Sequence, residues 1–182
     1  MKTIIFLDID GVLNNEEDIV YLHESNGGWD NEEFKKIRSD AAFGSGTPFS
    51  KRNLNNLKQL VEETDSSIIL TSTWRGSQDS INCFLKALDS VGIQNRYAGK
   101  TKVKYWDSNW GRGREITEWL EEYKEENIYN YVILDDDADM HWGKCMEHFV
   151  HINGQIGLTH RDRCKAADML NKGGNTYEEE NV

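Results

Sequence analysis

The sequence predicts an open α/β fold: a Rossmann-like, mostly parallel sheet with helices on both faces and a small flap insertion. Three observations lead there. Short apolar runs rich in β-branched residues alternate with stretches whose apolar residues recur at helical spacing. The apolar runs end abruptly in acidic or hydroxyl residues, as strands do when they open onto a ligand edge. The length of 182 residues suits one domain with a full core and is short for two.

Thr3 to Leu7 reads as a buried strand that stops at Asp8. Residues 14–48 lack clear periodicity and contain Gly27, Gly28, Gly44, Gly46 and Pro48, so they read as a flap with a short helix at Asn31 to Ile37. Ser50 is a candidate cap for a helix with Leu54, Leu57, Leu60 and Val61 on one face. Ile68 to Thr71 is a second strand. The helix after it carries Ile81, Phe84, Leu85, Leu88 and Val91, with Gly92 as its stop. Residues 99–113 read as irregular. Ile116, Trp119, Leu120 and Tyr123 mark a third helix, Tyr131 to Leu134 a third strand and Phe149 to Ile152 a fourth. Thr159 with Asp162 resembles a capping box for a last helix. The domain expected is residues 1–172, with 14–48 as its flap insertion and 173–182 as a disordered tail.

A net charge of -11 argues against a broad footprint for duplex nucleic acid, while leaving room for a local basic cleft around one phosphate. Three widely spaced cysteines predict reduced thiols and a cytoplasmic setting. The first apolar run is cut by Asp8 and Asp10, too early for a signal sequence, and no stretch reaches membrane-spanning length, so no membrane association is expected. His141, Cys145, His148 and His151 do not fall at zinc-finger spacing.

Chemistry concentrates where three strands end: Asp8-Ile9-Asp10-Gly11, Thr71-Ser72-Thr73-Trp74-Arg75, and Asp135-Asp136-Asp137 with Asp139 nearby. Carboxylates converging on one sheet edge repel each other unless a cation lies between them. An oxygen-only donor set favours Mg²⁺ over zinc, and such sites on α/β folds serve phosphoryl transfer.

Asp8-Ile9-Asp10-Gly11-Val12-Leu13 resembles the first motif of the haloacid dehalogenase (HAD) superfamily; Ser72 matches the second and Asp135-Asp136 the fourth. Ser72-Thr73-Trp74-Arg75, Arg112-Gly113-Arg114-Glu115-Ile116 and Gly157-Leu158-Thr159 further resemble the HAD domain of Swiss-army-knife RNA repair proteins. The resemblance implies a Mg²⁺-dependent phosphatase; the large cap domain usual in the superfamily is not expected here, because only residues 14–48 are available after the first motif. Asp8 would be the covalent nucleophile, Asp10 the general acid and base, Ser72 a phosphoryl ligand and Arg112 the brace, with Arg114 as runner-up. The metal set would be Asp8, Asp10, Asp135 and Asp136. A one-residue shift at Ser72, toward Thr71 or Thr73, stays open, as does Asp137 or Asp139 in place of Asp136.

Between Gly99 and Arg114, Lys100, Lys102 and Lys104 interleave with Tyr105, Trp106 and Trp110. That pattern suits a nucleotide or single-strand end held by stacking and phosphate contacts. Thr73, Arg75, Trp106, Trp110 and Arg114 are the candidate substrate-binding residues. The expected substrate is a phosphomonoester on a small molecule, nucleotide or nucleic-acid end. The alternative is a non-catalytic protein that sequesters a phosphorylated ligand on the same fold.

Overall fold

The computed structural model describes residues 2–25, 27–28, 30–32, 35, 49–102, 111–126, 128–141 and 144–172. Among them, β1 (Lys2–Leu7), β2 (Ser67–Leu70), β3 (Tyr97–Lys100), β4 (Ile128–Asp135) and β5 (Phe149–His151) form one sheet in the order β3-β2-β1-β4-β5. Every pairing is parallel. Helices α1 (Glu16–Ser25), α2 (Lys51–Thr64), α3 (Gln78–Ser90), α4 (Arg112–Glu122) and α5 (His160–Lys172) connect or follow them. The chain thus has the expected Rossmann-like architecture, with no large extra domain among the described residues. The sheet order reverses between β1 and β4, the place where open α/β sheets bind ligands.

The two-residue period of the strands divides the core. Ile5, Leu7, Ile68, Leu70, Val132 and Leu134 face the layer that holds Leu57, Phe84 and Leu170 of α2, α3 and α5. Ile4, Phe6, Ile69 and Ile133 face the opposite layer, with Ile116 and Trp119 of α4. Phe6, fully buried, meets Trp119 edge-on at 5.3 Å and Tyr131 at 5.7 Å. Aromatic contacts of this kind add about 0.5–1.5 kcal/mol each beyond their buried area. The Phe6–Trp119 contact packs α4 against β1 and helps to fix where the start of α4 lies, while Phe6–Tyr131 joins β1 to β4. Gly113 permits a close approach there: a Cβ would stand 3.1 Å from the Met140 carbonyl.

Local signals behave as read at several ends. Ser50 Oγ accepts from Asn53 N–H at 3.3 Å, and Gly92 closes α3 with φ +80°. Thr159 Oγ1 and the Asp162 carboxylate bond each other, and each accepts the other's backbone N–H.

Two elements differ from the reading. Residues 97–100, partly inside the segment read as irregular, form the edge strand β3; Tyr-Ala-Gly-Lys contains no β-branched residue, and Gly99 sits at φ +141°. The flap begins with a regular helix, α1, which buries none of its residues and so leaves no apolar period to find. Its mark is a box: Asn15 Oδ1 accepts from Asp18 N–H at 2.9 Å, and Asn15 Nδ2 donates to Asp18 Oδ2 at 3.0 Å. At the short helix expected over 31–37, Lys35 N–H donates to Asn31 O at 2.9 Å. The rest of that helix, most of 26–48, the 173–182 tail, and Trp106 and Trp110 lie outside the described residues. No helix among the described residues is long and apolar enough to cross a membrane.

Candidate active site

The ladder carries three side chains to one level. Asp8 N–H donates to Leu134 O at 2.9 Å and Thr71 N–H to Leu7 O at 2.8 Å, so the pairing runs one residue past β1 and β2. Asp8, Thr71 and Asp135 share the parity of Phe6, Ile69 and Ile133, and hence face the layer of α4. Just past Asp8 the chain turns sharply, with Leu13 N–H bonded to Ile9 O at 2.9 Å and Gly11 at φ +70°. This turn lets Asp136 approach: a Cβ on Gly11 would lie 2.1 Å from Asp136 Oδ2, and one on Gly154 2.5 Å from it.

One carboxylate oxygen from each of Asp8, Asp135 and Asp136 lies within 4.8 Å of the others. Asp8 is 5% exposed and Asp135 1%. Arg112, at the start of α4, spans the first two: Nη2 is 3.2 Å from Asp8 Oδ1, and Nε is 3.2 Å from Asp135 Oδ2. Its backbone N–H donates to Asp139 Oδ2 at 2.9 Å, which anchors the helix start to the loop after β4. Asp135 Oδ1 accepts from Asp137 N–H at 2.9 Å, whereas buried Oδ2 has the ionic contact to Arg112 but no well-aligned hydrogen bond.

Electrostatics follow from this crowding. Burial and then the Asp135 charge push Asp8 up to about 8, although Arg112 pulls the other way. Burial likewise raises Asp135 to about 6, against the lowering effect of Arg112 and the Asp137 N–H. Asp136 is raised too, first by burial. Arg112 loses hydration on burial, but Asp8, Asp135, Glu115 and Asp139 outweigh that and hold its proton more firmly. Arg112 pairs with Asp8 and Asp135, and Asp136 adds a third carboxylate beside them; this crowding, with an under-satisfied Asp135 oxygen, fits a hard cation.

The other expected residues are distributed around this centre. Asp10 accepts from Trp74 Nε1–H at 3.0 Å through Oδ2, and from Asn14 Nδ2–H at 2.8 Å through Oδ1. It lines a cavity of about 460 Å³ together with Asn14, Glu16, Asp136, Asn153 and Gln155. Ser72 is buried, and its Oγ accepts from Trp74 N–H at 3.4 Å, capping the single turn Thr73–Gly76. Its neighbour Thr71 is also buried, and the Thr71 hydroxyl lacks a hydrogen bond within the described residues. Thr73 is exposed. Arg75 is 3% exposed, and its guanidinium donates to Thr71 O, to Ser72 O at 2.6 Å and to Glu115. Arg114 Nε pairs with Glu118 Oε1 at 3.7 Å. Trp106 and Trp110 are not among the described residues.

Four further residues contact this edge without being sequence candidates: Glu115, Trp74, Asn14 and Gly154. Glu115 and Trp74 lie inside the motif-like stretches 112–116 and 72–75, but neither residue type at its position marks a role by spacing alone. Asn14 and Gly154 follow strand ends by several residues, where no spacing rule reaches.

The family model described as the HAD domain in Swiss Army Knife RNA repair proteins matches residues 4–163, most of the chain. No curated protein matches the sequence. The chain belongs to this HAD-domain family.

Proposed function

We propose that this HAD-domain protein is a Mg²⁺-dependent phosphohydrolase that cleaves a phosphomonoester on a nucleotide or nucleic-acid end through an aspartyl-phosphate. The observation that carries this reading is Arg112 bridging Asp8 and Asp135, with Asp136 completing a three-carboxylate cluster at the sheet's switch point. Family membership and the acidic cluster support hydrolase chemistry at this edge.

The residues divide the work. An oxygen of the Asp8 carboxylate attacks phosphorus as the bond to the leaving oxygen breaks, and Asp10 gives that oxygen its proton. Asp10, now ionised, takes a proton from water; the water oxygen attacks phosphorus, and the Asp8–phosphorus bond breaks to release inorganic phosphate. Trp74 and Asn14 hold the Asp10 carboxylate by both oxygens, so it enters the reaction already oriented. Arg112 offers guanidinium donors to phosphoryl oxygens beside Asp8, and the hydroxyl of Ser72 is the candidate ligand on the β2 side. Asp8, Asp135 and Asp136, with Asp10 adjacent, are the residues that would hold Mg²⁺, which supplies charge neutralisation to the phosphoryl group. Thr73, Arg75, Trp106, Trp110 and Arg114 remain the candidates for contacts that distinguish one monoester from another.

Asp8→Asn tests the reaction directly. The amide is nearly isosteric but cannot attack phosphorus, and it removes one charge from a crowded cluster. The expected outcome is a folded protein without Mg²⁺-dependent release of phosphate from nucleotides or from 3′- and 5′-phosphorylated oligonucleotides. Turnover near the wild-type level would remove Asp8 from the reaction, and full activity after exhaustive EDTA treatment would remove the metal.

A further inference from the structure

Arg112 is the outer member of a buried chain of alternating charge that runs back into the protein. Its Nη1 faces Glu115 Oε2 at 3.7 Å, one helical turn further along α4. The same Glu115 oxygen accepts from Arg75 Nη2, and Arg75 Nη1 is spent on the Thr71 and Ser72 carbonyls at the end of β2. The Arg75 carbonyl in turn accepts from Lys100 Nζ at 2.8 Å, which ties in the end of β3. Glu115 is 8% exposed and Arg75 3%, so each charge depends on the other for its stability in the interior. Two stretches of sequence 40 residues apart are joined by this pair.

A guanidinium is a planar fork with donors along three edges. In Arg112 one edge is directed to Asp8 and Asp135, and Nη1 is directed to Glu115. Without Glu115, the long side chain keeps its attraction to the two aspartates but loses the contact that sets the rotation of its plane. Glu115 lies toward the protein interior from Arg112, braced by a second arginine that cannot move without breaking bonds to the β2 terminus. We infer that Glu115, held by Arg75, is a positioning residue that fixes the Arg112 guanidinium over Asp8 and Asp135. The functional meaning of this arrangement rests on the proposed phosphoryl transfer at Asp8.

The test compares the wild-type protein with Glu115→Gln and Arg75→Lys, each checked for folding by thermal denaturation. In ¹⁵N-edited spectra of the guanidinium groups, the wild-type protein should show distinct Arg112 Nη signals from hindered rotation. Glu115→Gln, which preserves side-chain volume, should broaden or merge them. Arg75→Lys, which keeps the charge but offers fewer donors, should do so partially. In phosphatase assays Glu115→Gln should lower kcat by about tenfold to a hundredfold, with a smaller change in KM. Added to Arg112→Ala, it should cost nothing further, because the two act through one group. An unchanged Arg112 spectrum in a folded Glu115→Gln protein overturns the inference, as does a kinetic loss that simply multiplies with that of Arg112→Ala. A wild-type protein that turns over no monoester defeats the proposed reaction instead, and the spectra still decide whether Glu115 orients Arg112.

Discussion

Asp8 and Asp135 make the protein's stability depend on pH in an unusual sense. Their folded values, about 8 and about 6, lie above the ~3.9 of an unconstrained aspartate. Between these limits the folded, metal-free protein holds more protons than the unfolded chain, so its stability falls as pH rises. The contribution is complete below about pH 4 and is lost as pH passes through 6 and then 8. Asp8→Asn should remove the upper part of this slope, and saturating Mg²⁺ should flatten it, since a cation replaces the protons. Calorimetric midpoints for wild type and Asp8→Asn from pH 5 to 8 measure the effect; each kcal/mol corresponds to roughly 2–4 °C in a protein of this size. A metal-free difference between the two proteins that does not change with pH would mean that the cluster is already compensated.

At the scale of elements, the turn after β1 is the part most tightly constrained by the site. Gly11→Ala meets two penalties: about 1–2 kcal/mol for a left-handed backbone, and displacement of Asp136 by the new methyl. Gly92→Ala at the end of α3 has the same left-handed backbone but open space around it. Both variants should lose thermal stability, and only Gly11→Ala should also lose Mg²⁺ affinity in a calorimetric titration. Equal Mg²⁺ affinity in the two would show that Asp136 moves aside without consequence. This contrast also explains what the sequence made legible. β1, β2 and β4 were readable because burial on both faces demands unbroken apolar runs, and α2 to α5 because each buries one stripe. β3 and α1 were not, since an edge strand of Tyr-Ala-Gly-Lys and a helix with nothing buried satisfy neither demand. The aspartates were visible from their place after apolar runs. Glu115 was hidden because its partner Arg75 is near only in the folded chain.

Over the whole molecule, the proposed reaction would divide processing and selection of substrate between different regions. Asp8, Asp10, Ser72, Arg112 and Asp135 sit at strand ends and helix starts of a rigid sheet, where they would touch only a phosphoryl group and its leaving oxygen. Discrimination among monoesters must come from groups that meet the rest of the substrate, and the basic, aromatic stretch with Trp106 and Trp110 is the sequence's best candidate. Replacing both tryptophans by alanine should raise KM for a nucleotide, each lost stack costing on the order of 1–3 kcal/mol. A small aryl phosphate should be almost unaffected. Equal losses on both substrates would assign these residues to the fold, and no loss on either would place selection elsewhere.

Helix α1 supplies Glu16 and Ile19 to the wall of the cavity beside Asp10. It buries no side chain, exposes Val20 and Tyr21, and is tied back by Glu17 N–H to Gln155 O at 3.0 Å and by Arg52 to Glu17 at 3.3 Å. Ile19 and Leu22 are only half-buried, so little apolar burial is lost when the helix lifts, and its opening free energy is expected to lie below that of the sheet. Amide deuterium uptake should therefore run through residues 16–25 long before it reaches β1 or β4. The wall of the cavity beside Asp10 would then breathe on a timescale that the strands beneath it do not share.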